Sequence, residues 1–311
     1  MSSSPTVGIF GSNGFVGSAV AESLRSSQHD VSALPRILLP TGIRPETMVS
    51  DLARDEEEVL RLNVGLLNAL EGVDRIVNAA GLAAPADPDV EAQWRTNTLL
   101  PAVVDVLASA AGVQRLIHVS SAAVQADARS LDESDQRTAL TAYARSKADA
   151  ERYLEREARV PTIIYRATSV IGPGRAVVNS LKRFYRGRVA PVFGDGTAPM
   201  PLSALPNTAA AISHLAMANS EPGVALQPWE GVTQKALATA LRAAHTRLVR
   251  VPVPPGSRKV RSLADSFPAP VLAQVRRLDL LVFGQEQNSK YLSQIGFQPP
   301  VNTVQYLAEL D

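Results

Sequence analysis

Residues 7–17 read VGIFGSNGFVG, a short apolar run followed by glycines at positions 11, 14 and 17. This run, the turn and the helix-like segment AVAESL at 19–24 predict a strand, a tight turn and a helix. Glycines at this spacing permit the sharp turn, the close approach of a pyrophosphate and the tight packing of helix on strand. The helix N-terminus adds free N–H groups and a positive dipole. The segment therefore predicts a dinucleotide-binding turn made by Gly11, Asn13, Gly14, Phe15, Val16 and Gly17.

Strand and helix candidates alternate from this turn to residue 173. We predict strands at 29–34, 59–62, 75–78, 116–119 and 162–166, and helices at 45–58, 100–107 and 141–158. This alternation is typical of an α/β fold, a Rossmann-like doubly wound parallel sheet, and it disfavours a glycine turn without a ligand. We place the dinucleotide-binding domain at residues 1–173. Residues 174–311 are expected to form a smaller, loop-rich substrate-binding region with elements that return to the main sheet.

The composition excludes several classes of function. The 311 residues include 31 lysines and arginines and 30 aspartates and glutamates, so a net charge of +1 gives no pull toward nucleic acid or membrane. The absence of cysteine excludes disulfides, thiolate zinc sites and cysteine nucleophiles. The four histidines have no metal-ligand spacing. No metal site is predicted, and His118 is expected to be a hydrogen-bonded core residue.

No segment of the sequence predicts secretion or a membrane span. The N-terminus has no basic stretch followed by an apolar run. The apolar stretch 99–113 is interrupted by Pro101 and Asp105 and is shorter than the ~20 residues of a spanning helix. We expect a cytoplasmic protein that takes a small-molecule substrate.

The end of the second strand bears on the choice of cofactor. An acidic residue usually stands there and binds the ribose hydroxyls, but the spacing brings Pro35 or Arg36 to this place. An arginine suits a 2′-phosphate better than a free diol, so Arg36 favours NADP(H) over NAD(H). The alternative is that Arg36 is a solvated loop charge.

Tyr143 and Lys147 lie four residues apart on a predicted helix, and therefore on the same face. Ser120 and Ser121 follow a buried strand at its carboxyl end, where open α/β sheets place their ligands. A tyrosine of pKa ~10 needs a nearby cation to exchange protons near neutrality, and a serine hydroxyl can polarise a carbonyl. The three residue types together predict hydride transfer coupled to proton transfer.

The chain resembles the extended short-chain dehydrogenases/reductases, a group that includes nucleotide-sugar epimerases, dehydratases and reductases. The resemblance covers about residues 6–175. It rests on Gly11-x-x-Gly14-x-x-Gly17, Asn78-Ala79-Ala80-Gly81, Asn97, Ser120-Ser121-Ala122-Ala123-Val124, Tyr143-x-x-x-Lys147 and Arg166-Ala167-Thr168-Ser169-Val170-Ile171-Gly172-Pro173. These motifs are specific for the superfamily and less specific for the reaction.

The resemblance implies roles for individual residues. Tyr143 would be the acid/base, Lys147 would bind the nicotinamide ribose and tune the tyrosine, and Ser121 would be the active-site serine. Ser120 would then be structural or lie on the cofactor side. The remaining implied roles are cofactor binding by Ala79, Ala80 and Gly81, support of the site by Asn97, and substrate contacts by Ser121, Ala122 and Asn179. The resemblance also suggests a homodimer formed through two helices, one of them bearing Tyr143.

The sequence departs from the family pattern at several positions. Sugar-nucleotide 4,6-dehydratases carry an Asp-Glu pair directly after the active-site hydroxyl, where this chain has Ala122 and Ala123. Relatives often have an arginine after a Gly-Asp-Gly turn, but here residues 197–208 include none. Either one of Arg175, Arg183, Arg186 and Arg188 replaces it, or the substrate is not a nucleotide sugar. Ala167 replaces a proline that many relatives place beside the nicotinamide.

Three hypotheses about function follow. The first is an NAD(P)H-dependent ketoreductase acting on a nucleotide-linked deoxysugar or a related hydroxylated substrate. The second is an epimerase, which would use the same residues and retain its NAD. The third is a non-catalytic dinucleotide sensor, which the presence of Ser121, Tyr143 and Lys147 disfavours.

Overall fold

The computed structural model describes residues 4–83, 89–254 and 278–310. Its strands are β1 (Val7–Phe10), β2 (Val31–Ala33), β3 (Arg75–Asn78), β4 (Arg115–Ser121), β5 (Ser130–Leu131), β6 (Thr162–Ala167), β7 (Ser169–Ile171), β8 (Val189–Phe193), β9 (Leu202–Ala204), β10 (Gly223–Leu226), β11 (Arg247–Val251) and β12 (Glu286–Gln287).

The helices are α1 (Phe15–Ser26), α2 (Met48–Arg54), α3 (Glu56–Leu62), α4 (Val64–Ala69), α5 (Val90–Trp94), α6 (Leu100–Ala110), α7 (Ala142–Glu157), α8 (Ala176–Tyr185), α9 (Leu205–Met217), α10 (Gln234–Leu241), α11 (Tyr291–Gln294) and α12 (Thr303–Glu309). Shorter turns of 3-10 helix lie at Pro45–Thr47 and Ala122–Gln125, and a π-helical turn lies at Arg95–Leu99. Residues 278–283 are also helical.

A six-stranded parallel sheet organises the molecule, in the order β10-β6-β4-β3-β1-β2. β1, β3 and β6 are buried along their whole length, as expected of strands covered on both faces. The order of the strands reverses at β1, because β2 pairs with one edge of β1 and β3 pairs with the other edge. Ligands of such sheets bind at the carboxyl ends beside this reversal. The predicted α/β class is confirmed.

The strand predicted at 59–62 is wrong, since these residues belong to α3. Three consecutive glutamates, 56 to 58, fill the first turn of this helix, where the helix dipole stabilises negative charge. The sheet therefore ends at the three-residue strand β2. In the segment that follows β2, the side chain of Asn63 bonds both backbone groups of Leu38. It accepts a hydrogen bond from the Leu38 amide (2.9 Å) and donates one to the Leu38 carbonyl (2.9 Å).

Helical layers cover the two faces of the sheet. One face packs against α6 and α7, and residues of α2 to α4 lie over α6 in the same hydrophobic cluster. The other face packs against α1 and α9. The apolar stretch 99–113 is mostly α6, of which residues 101–108 are buried. Among the described residues, no helix is both long and apolar enough to cross a membrane.

The second half of the chain contributes to the main sheet and also forms a smaller unit. β10 extends the sheet beside β6, and α9 covers one face of it. The pairs β8–β11 and β7–β9, with α8, α10 and α12, enclose a separate hydrophobic cluster. The domain boundary placed at residue 173 stays a prediction.

The outer edge of β10 is occupied by side chains. The Glu133 carboxylate accepts a hydrogen bond from the Leu226 amide (3.2 Å), and the Ser289 hydroxyl donates one to the Leu226 carbonyl (2.7 Å). Glu133 also accepts from the amides of Lys290 and Tyr291, at the start of α11. One carboxylate thus joins the sheet edge to the C-terminal segment.

Candidate active site

The glycine turn leads from β1 into α1 by a backbone path that only glycine can follow. Gly11 has a φ of +75°, and a Cβ on it would lie 2.7 Å from the Ala80 amide nitrogen. A Cβ on Gly17 would lie 2.1 Å from the Gly11 carbonyl oxygen, so the helix crosses the turn at backbone contact. No side chain caps α1, whose N-cap residue is the exposed Gly14. The first N–H groups of the helix are therefore available to phosphates.

The segment Ala79-Ala80-Gly81 connects this turn to the predicted catalytic residues. Ala79 and Ala80 lie against Gly11 through their backbones. A Cβ on Gly81 would lie 3.2 Å from Lys147 Nζ and 3.1 Å from Asn97 Oδ1. The glycine turn and Lys147 therefore border one space, which a side chain at 81 would fill. The residues fit a nicotinamide dinucleotide, whose phosphates the N-terminus of α1 would hold and whose ribose Lys147 would bind.

Ser121, Tyr143 and Lys147 are brought together at the carboxyl end of the sheet. Thr141 caps α7 by accepting a hydrogen bond from the Ala144 amide (3.1 Å), which places Tyr143 in the first turn of the helix. Ser121 is the last residue of β4, and its side chain is close enough to the Tyr143 hydroxyl to lower the pKa of Tyr143. Lys147 is 4% exposed and donates a hydrogen bond from Nζ to the Val119 carbonyl (2.9 Å).

The electrostatics of this group favour a protonated tyrosine. Burial raises the pKa of Tyr143, while its hydrogen bond with Ser121 and the charge of Arg175 act in the opposite direction. Burial lowers the pKa of Lys147 to about 8, opposed by the charge of Glu151. Near neutrality the site therefore holds a neutral phenol, able to donate a proton, next to a charged ammonium group.

A buried ion-pair network centred on Glu151 of α7 lies next to the site. Glu151 follows Lys147 by one helical turn and accepts a hydrogen bond from the Ser120 hydroxyl (2.6 Å). Its carboxylate also pairs with Arg166 (2.7 Å) and Arg137 (3.0 Å). Glu151 and Arg166 are both 0% exposed. The Ser120 hydroxyl is therefore bonded within the protein, and the network joins α7 to the end of β4 that carries Ser121.

Asn97 lies in the π-helical turn before α6 and makes hydrogen bonds with residues that are distant in sequence. Its Oδ1 accepts from the Leu82 amide (2.9 Å), and its Nδ2 donates to the Ser146 hydroxyl (3.2 Å). It therefore joins the segment after Gly81 to the helix of Tyr143, as the expected supporting residue would. Irregular turns of this kind are frequent at functional sites.

Of the other predicted residues, two are exposed and two are buried. Arg36 is exposed just beyond β2, and Asn179 is exposed on α8. Ala122 is buried at the start of the 3-10 turn that follows Ser121. His118 is expected to be a hydrogen-bonded core residue, and only one of its ring nitrogens has a partner. Nδ1 lies 3.4 Å from Asn78 Nδ2, whereas Nε2 has no partner among the described residues.

Two groups near the site, the Thr168 hydroxyl and Arg175, were not assigned a role from the sequence. The Thr168 hydroxyl is buried without a partner among the described residues, one position after Ala167, which pairs with Ser121 in the sheet. The charge of Arg175 lowers the pKa of Tyr143, whereas the sequence named Arg175 only as one of four candidates to replace an absent arginine. No chemical pattern singles out Thr168, and only the packed fold shows which arginine reaches the tyrosine.

Within the described ranges, no three acidic or histidine side chains lie close enough together to hold a metal ion. The donors at the site are hydroxyl, ammonium and backbone groups, which suit an organic cofactor. The chemistry available is therefore hydrogen bonding to a carbonyl oxygen, proton transfer from a phenol and charge stabilisation by an ammonium group.

Comparison with known proteins decides the family. A family model for the NAD dependent epimerase/dehydratase family matches residues 7–226, more than half of the chain. The chain belongs to this family. Membership confirms the resemblance stated above and makes the chain a relative of NAD-dependent enzymes. No curated protein sequence matches it significantly.

Solved structures of epimerase/dehydratase relatives share the whole fold. MoeE5, solved with UDP-glucuronic acid and NAD, is 21% identical with a TM-score of 0.63, over 98% of this chain and 97% of its own. UDP-glucose 4-epimerase from Thermotoga maritima is 19% identical with a TM-score of 0.64, over 97% and 96%. The dTDP-glucose 4,6-dehydratase DesIV from Streptomyces venezuelae, solved with NAD, is 18% identical with a TM-score of 0.64, over 97% and 94%. At these identities the likeness shows the fold.

Proposed function

We propose that this family member is an NAD(P)H-dependent ketoreductase acting on a nucleotide-linked deoxysugar or a related hydroxylated substrate. The observation that carries the proposal is the position of Lys147, which bonds the Val119 carbonyl of β4 and borders Gly81 next to the glycine turn. Tyr143 lies one turn before it on α7, and Ser121 ends β4. A bound nicotinamide cofactor supplies the hydride. The described residues bind the substrate, donate the proton and stabilise the developing charge.

Each side chain has a separate task in this proposal. Ser121 and Tyr143 donate hydrogen bonds to the carbonyl oxygen of the substrate, which polarises the carbonyl. Tyr143, kept protonated by its raised pKa, gives its proton to that oxygen as negative charge develops there. Lys147, charged below its pKa of about 8, holds positive charge near Tyr143 and would hydrogen-bond the ribose of a bound cofactor.

The cofactor preference is proposed to be NADP(H) rather than NAD(H). Residues 31–40 include no aspartate or glutamate, so this stretch offers no carboxylate to a ribose diol. Arg36 is exposed just past β2 and is available to a 2′-phosphate. MoeE5 and DesIV were solved with NAD, and a direct comparison of the two cofactors is therefore part of the test.

An epimerase that retains its NAD is the second candidate, favoured by the fold shared with UDP-glucose 4-epimerase. It would use Ser121, Tyr143 and Lys147 in both directions on one sugar carbon. Elimination of water is not proposed, since the methyl groups of Ala122 and Ala123 provide no acid or base beside Ser121.

Cofactor consumption separates the two candidates. The purified protein is first assayed for bound nicotinamide and then given NADPH or NADH with a panel of 4-keto-6-deoxy nucleotide sugars. A ketoreductase oxidises one equivalent of reduced cofactor per substrate, faster with NADPH. Tightly held NAD with interconversion of sugars and no net oxidation would instead identify an epimerase. Binding of cofactor with neither activity would contradict both.

A further inference from the structure

The last three residues of β4 extend beyond the neighbouring strand β3. β4 pairs with β3 as far as His118, whereas it pairs with β6 as far as Ser121. Within the described part of the chain, residues 119–121 therefore have a strand neighbour on one side only. They lie at the carboxyl edge of the sheet, where the ligands of such sheets bind. The end of β4 that carries Ser121 consequently depends on contacts with side chains to stay in place.

Two side chains of α7 hold this end of β4. Lys147 donates a hydrogen bond from Nζ to the Val119 carbonyl (2.9 Å), and Glu151 accepts one from the Ser120 hydroxyl (2.6 Å). Lys147 and Glu151 are one helical turn apart, so one helix face binds two consecutive residues of the strand. Lys147, Glu151 and Ser120 are all buried. The bond between Ser120 and Glu151 therefore bears on the position of the carbonyl that Lys147 binds.

Glu151 is a fixed anchor for the strand. Arg166 donates to its two carboxylate oxygens from Nε (3.1 and 3.2 Å) and from Nη2 (2.7 Å). Arg166 is held in turn by the carbonyls of Asp132 (2.9 Å) and Ser134 (2.8 Å). Charge-assisted bonds of this kind are strong and have a defined geometry. The Ser120 hydroxyl is the neutral link between this group and β4, so its removal takes no charge from the network.

We propose that Ser120 is a positioning residue for the reaction, because its bond to Glu151 keeps the Val119 carbonyl against Lys147 and keeps Ser121 at the site. Its effect on turnover rests on the ketoreductase function proposed above, whereas its effect on Lys147 does not. Without the Ser120 hydroxyl, the end of β4 moves more freely relative to α7, and the hydrogen bond from Lys147 to Val119 weakens. Since that bond favours the charged ammonium group, its weakening adds to the effect of burial and lowers the pKa of Lys147 further.

The charges around Lys147 are not altered by removal of the Ser120 hydroxyl. The charged and titratable groups near Lys147 lie on α7, β4 and β6 and in the loop before α7: Tyr143, Glu151, His118, Arg166 and Arg137. Burial, together with the charge of Lys147, holds the pKa of His118 well below its usual value. A changed titration of Lys147 in a Ser120 variant would therefore report a displaced acceptor and not a new charge.

Nuclear magnetic resonance of labelled lysine tests the effect on Lys147 without an activity assay. Lys147 is one of five lysines in the sequence, so its Cε signal is identified as the one that Lys147→Arg lacks. Ser120→Ala should move the titration midpoint of Lys147 from about pH 8 to about one pH unit lower. The matched control is Ser203→Ala, which removes a buried hydroxyl bonded to Thr208 (2.8 Å) in β9 and should leave the midpoint unchanged.

Carbonyl reduction is measured with the same proteins. Ser120→Ala should lower kcat by about 10-fold, because small displacements of reacting groups slow turnover strongly. Ser120→Thr keeps the hydroxyl and should restore both kcat and the titration midpoint of Lys147. Ser120→Val has the shape of the threonine without its hydroxyl and should restore neither. This pair decides the question if Ser120→Ala does not fold.

An unchanged Lys147 titration in Ser120→Ala would overturn the proposal, even if the free energy of unfolding fell, because Ser120 would then be structural only. Equal behaviour of Ser120→Thr and Ser120→Val would also overturn it. Wild-type protein that reduces no carbonyl would contradict the proposed function alone, since the titration of Lys147 still tests the role of Ser120.

Discussion

Lys147 has a buried ammonium group whose pKa is about 8, because burial disfavours its charged form. The ammonium is therefore charged below about pH 8 and loses its proton as the pH rises through that value. We expect kcat/KM of the free enzyme to fall above about pH 8, with Tyr143 remaining protonated over the same range.

This prediction is checked by a pH profile of carbonyl reduction. The profile should show one alkaline limb, and Lys147→Arg, whose side chain stays charged, should move or abolish it. An unchanged alkaline limb in the arginine variant would mean that another group titrates there.

Tyr143 is expected to be dispensable for cofactor binding and essential for turnover. Tyr143→Phe should lower kcat by about 10²- to 10⁴-fold, the usual contribution of a positioned acid, while the dissociation constant of the reduced cofactor stays near its wild-type value. Tyr153→Phe is the matched control, since Tyr153 lies on the same helix as Tyr143 but its hydroxyl is near Asp105 of α6 (3.5 Å). Near-normal turnover by Tyr143→Phe would disprove the assignment of the acid.

At the scale of elements, Glu151 ties α7 to β4 and β6 through Ser120 and Arg166. Glu151→Gln leaves Arg166 and Arg137 buried with one negative charge fewer, so we expect the free energy of unfolding to fall by about 3–5 kcal/mol. Urea denaturation measures the loss, and Glu157→Gln, exposed at the end of the same helix, should be near neutral. A small effect of Glu151→Gln would show that the network adds little to stability.

Asn63 holds the segment that follows β2 through the backbone of Leu38, and its removal should destabilise that segment. Asn63→Ala leaves the Leu38 amide and carbonyl without their partner, which costs about 1–3 kcal/mol of the free energy of unfolding. Asn68→Ala, at an exposed position of α4, is the control. Amide exchange at Leu38 should accelerate in the first variant only. Unchanged protection would mean that Asn63 does not hold this segment.

The elements differ in how far the sequence could predict them. Val7–Phe10 and the glycine turn are local features, and so is the spacing of Tyr143 and Lys147 on one helical face. The apolar residues Val59, Leu60 and Leu62 suit a short strand as well as a helix, and packing of α3 against α6 decided between them. The contacts of Glu151 and Arg175 join distant parts of the chain, so no local pattern could reveal them.

At the scale of the whole molecule, the homodimer stays a prediction, and the surface of α7 suggests its character. Exposed positions on this helix include Arg145, Arg152 and Arg156, and Arg152 pairs with Asp149 of its own chain (2.6 Å). In the neighbouring helix α6, residues 101–108 are buried by the rest of the same chain. A dimer formed through α7 would therefore be held largely by charged groups, which salt screens.

Sedimentation analysis at low and high ionic strength tests this expectation. We expect the associated fraction to fall when the salt concentration rises from about 0.05 M to 0.5 M, as the Debye length shortens. Arg152→Glu should change the association, whereas Arg183→Glu should not. A dimer of equal strength at both salt concentrations would have to use a different, more apolar surface.

The β10 edge of the sheet has a consequence for behaviour in concentrated solution. Open strand edges can pair with strands from other molecules and start aggregates. Here the backbone amide and carbonyl of Leu226, the last residue of β10, are bonded to Glu133 and Ser289 of the same chain. A second molecule cannot use these two groups, so this end of the edge strand is protected from pairing. The protection comes from side chains and needs no further strand.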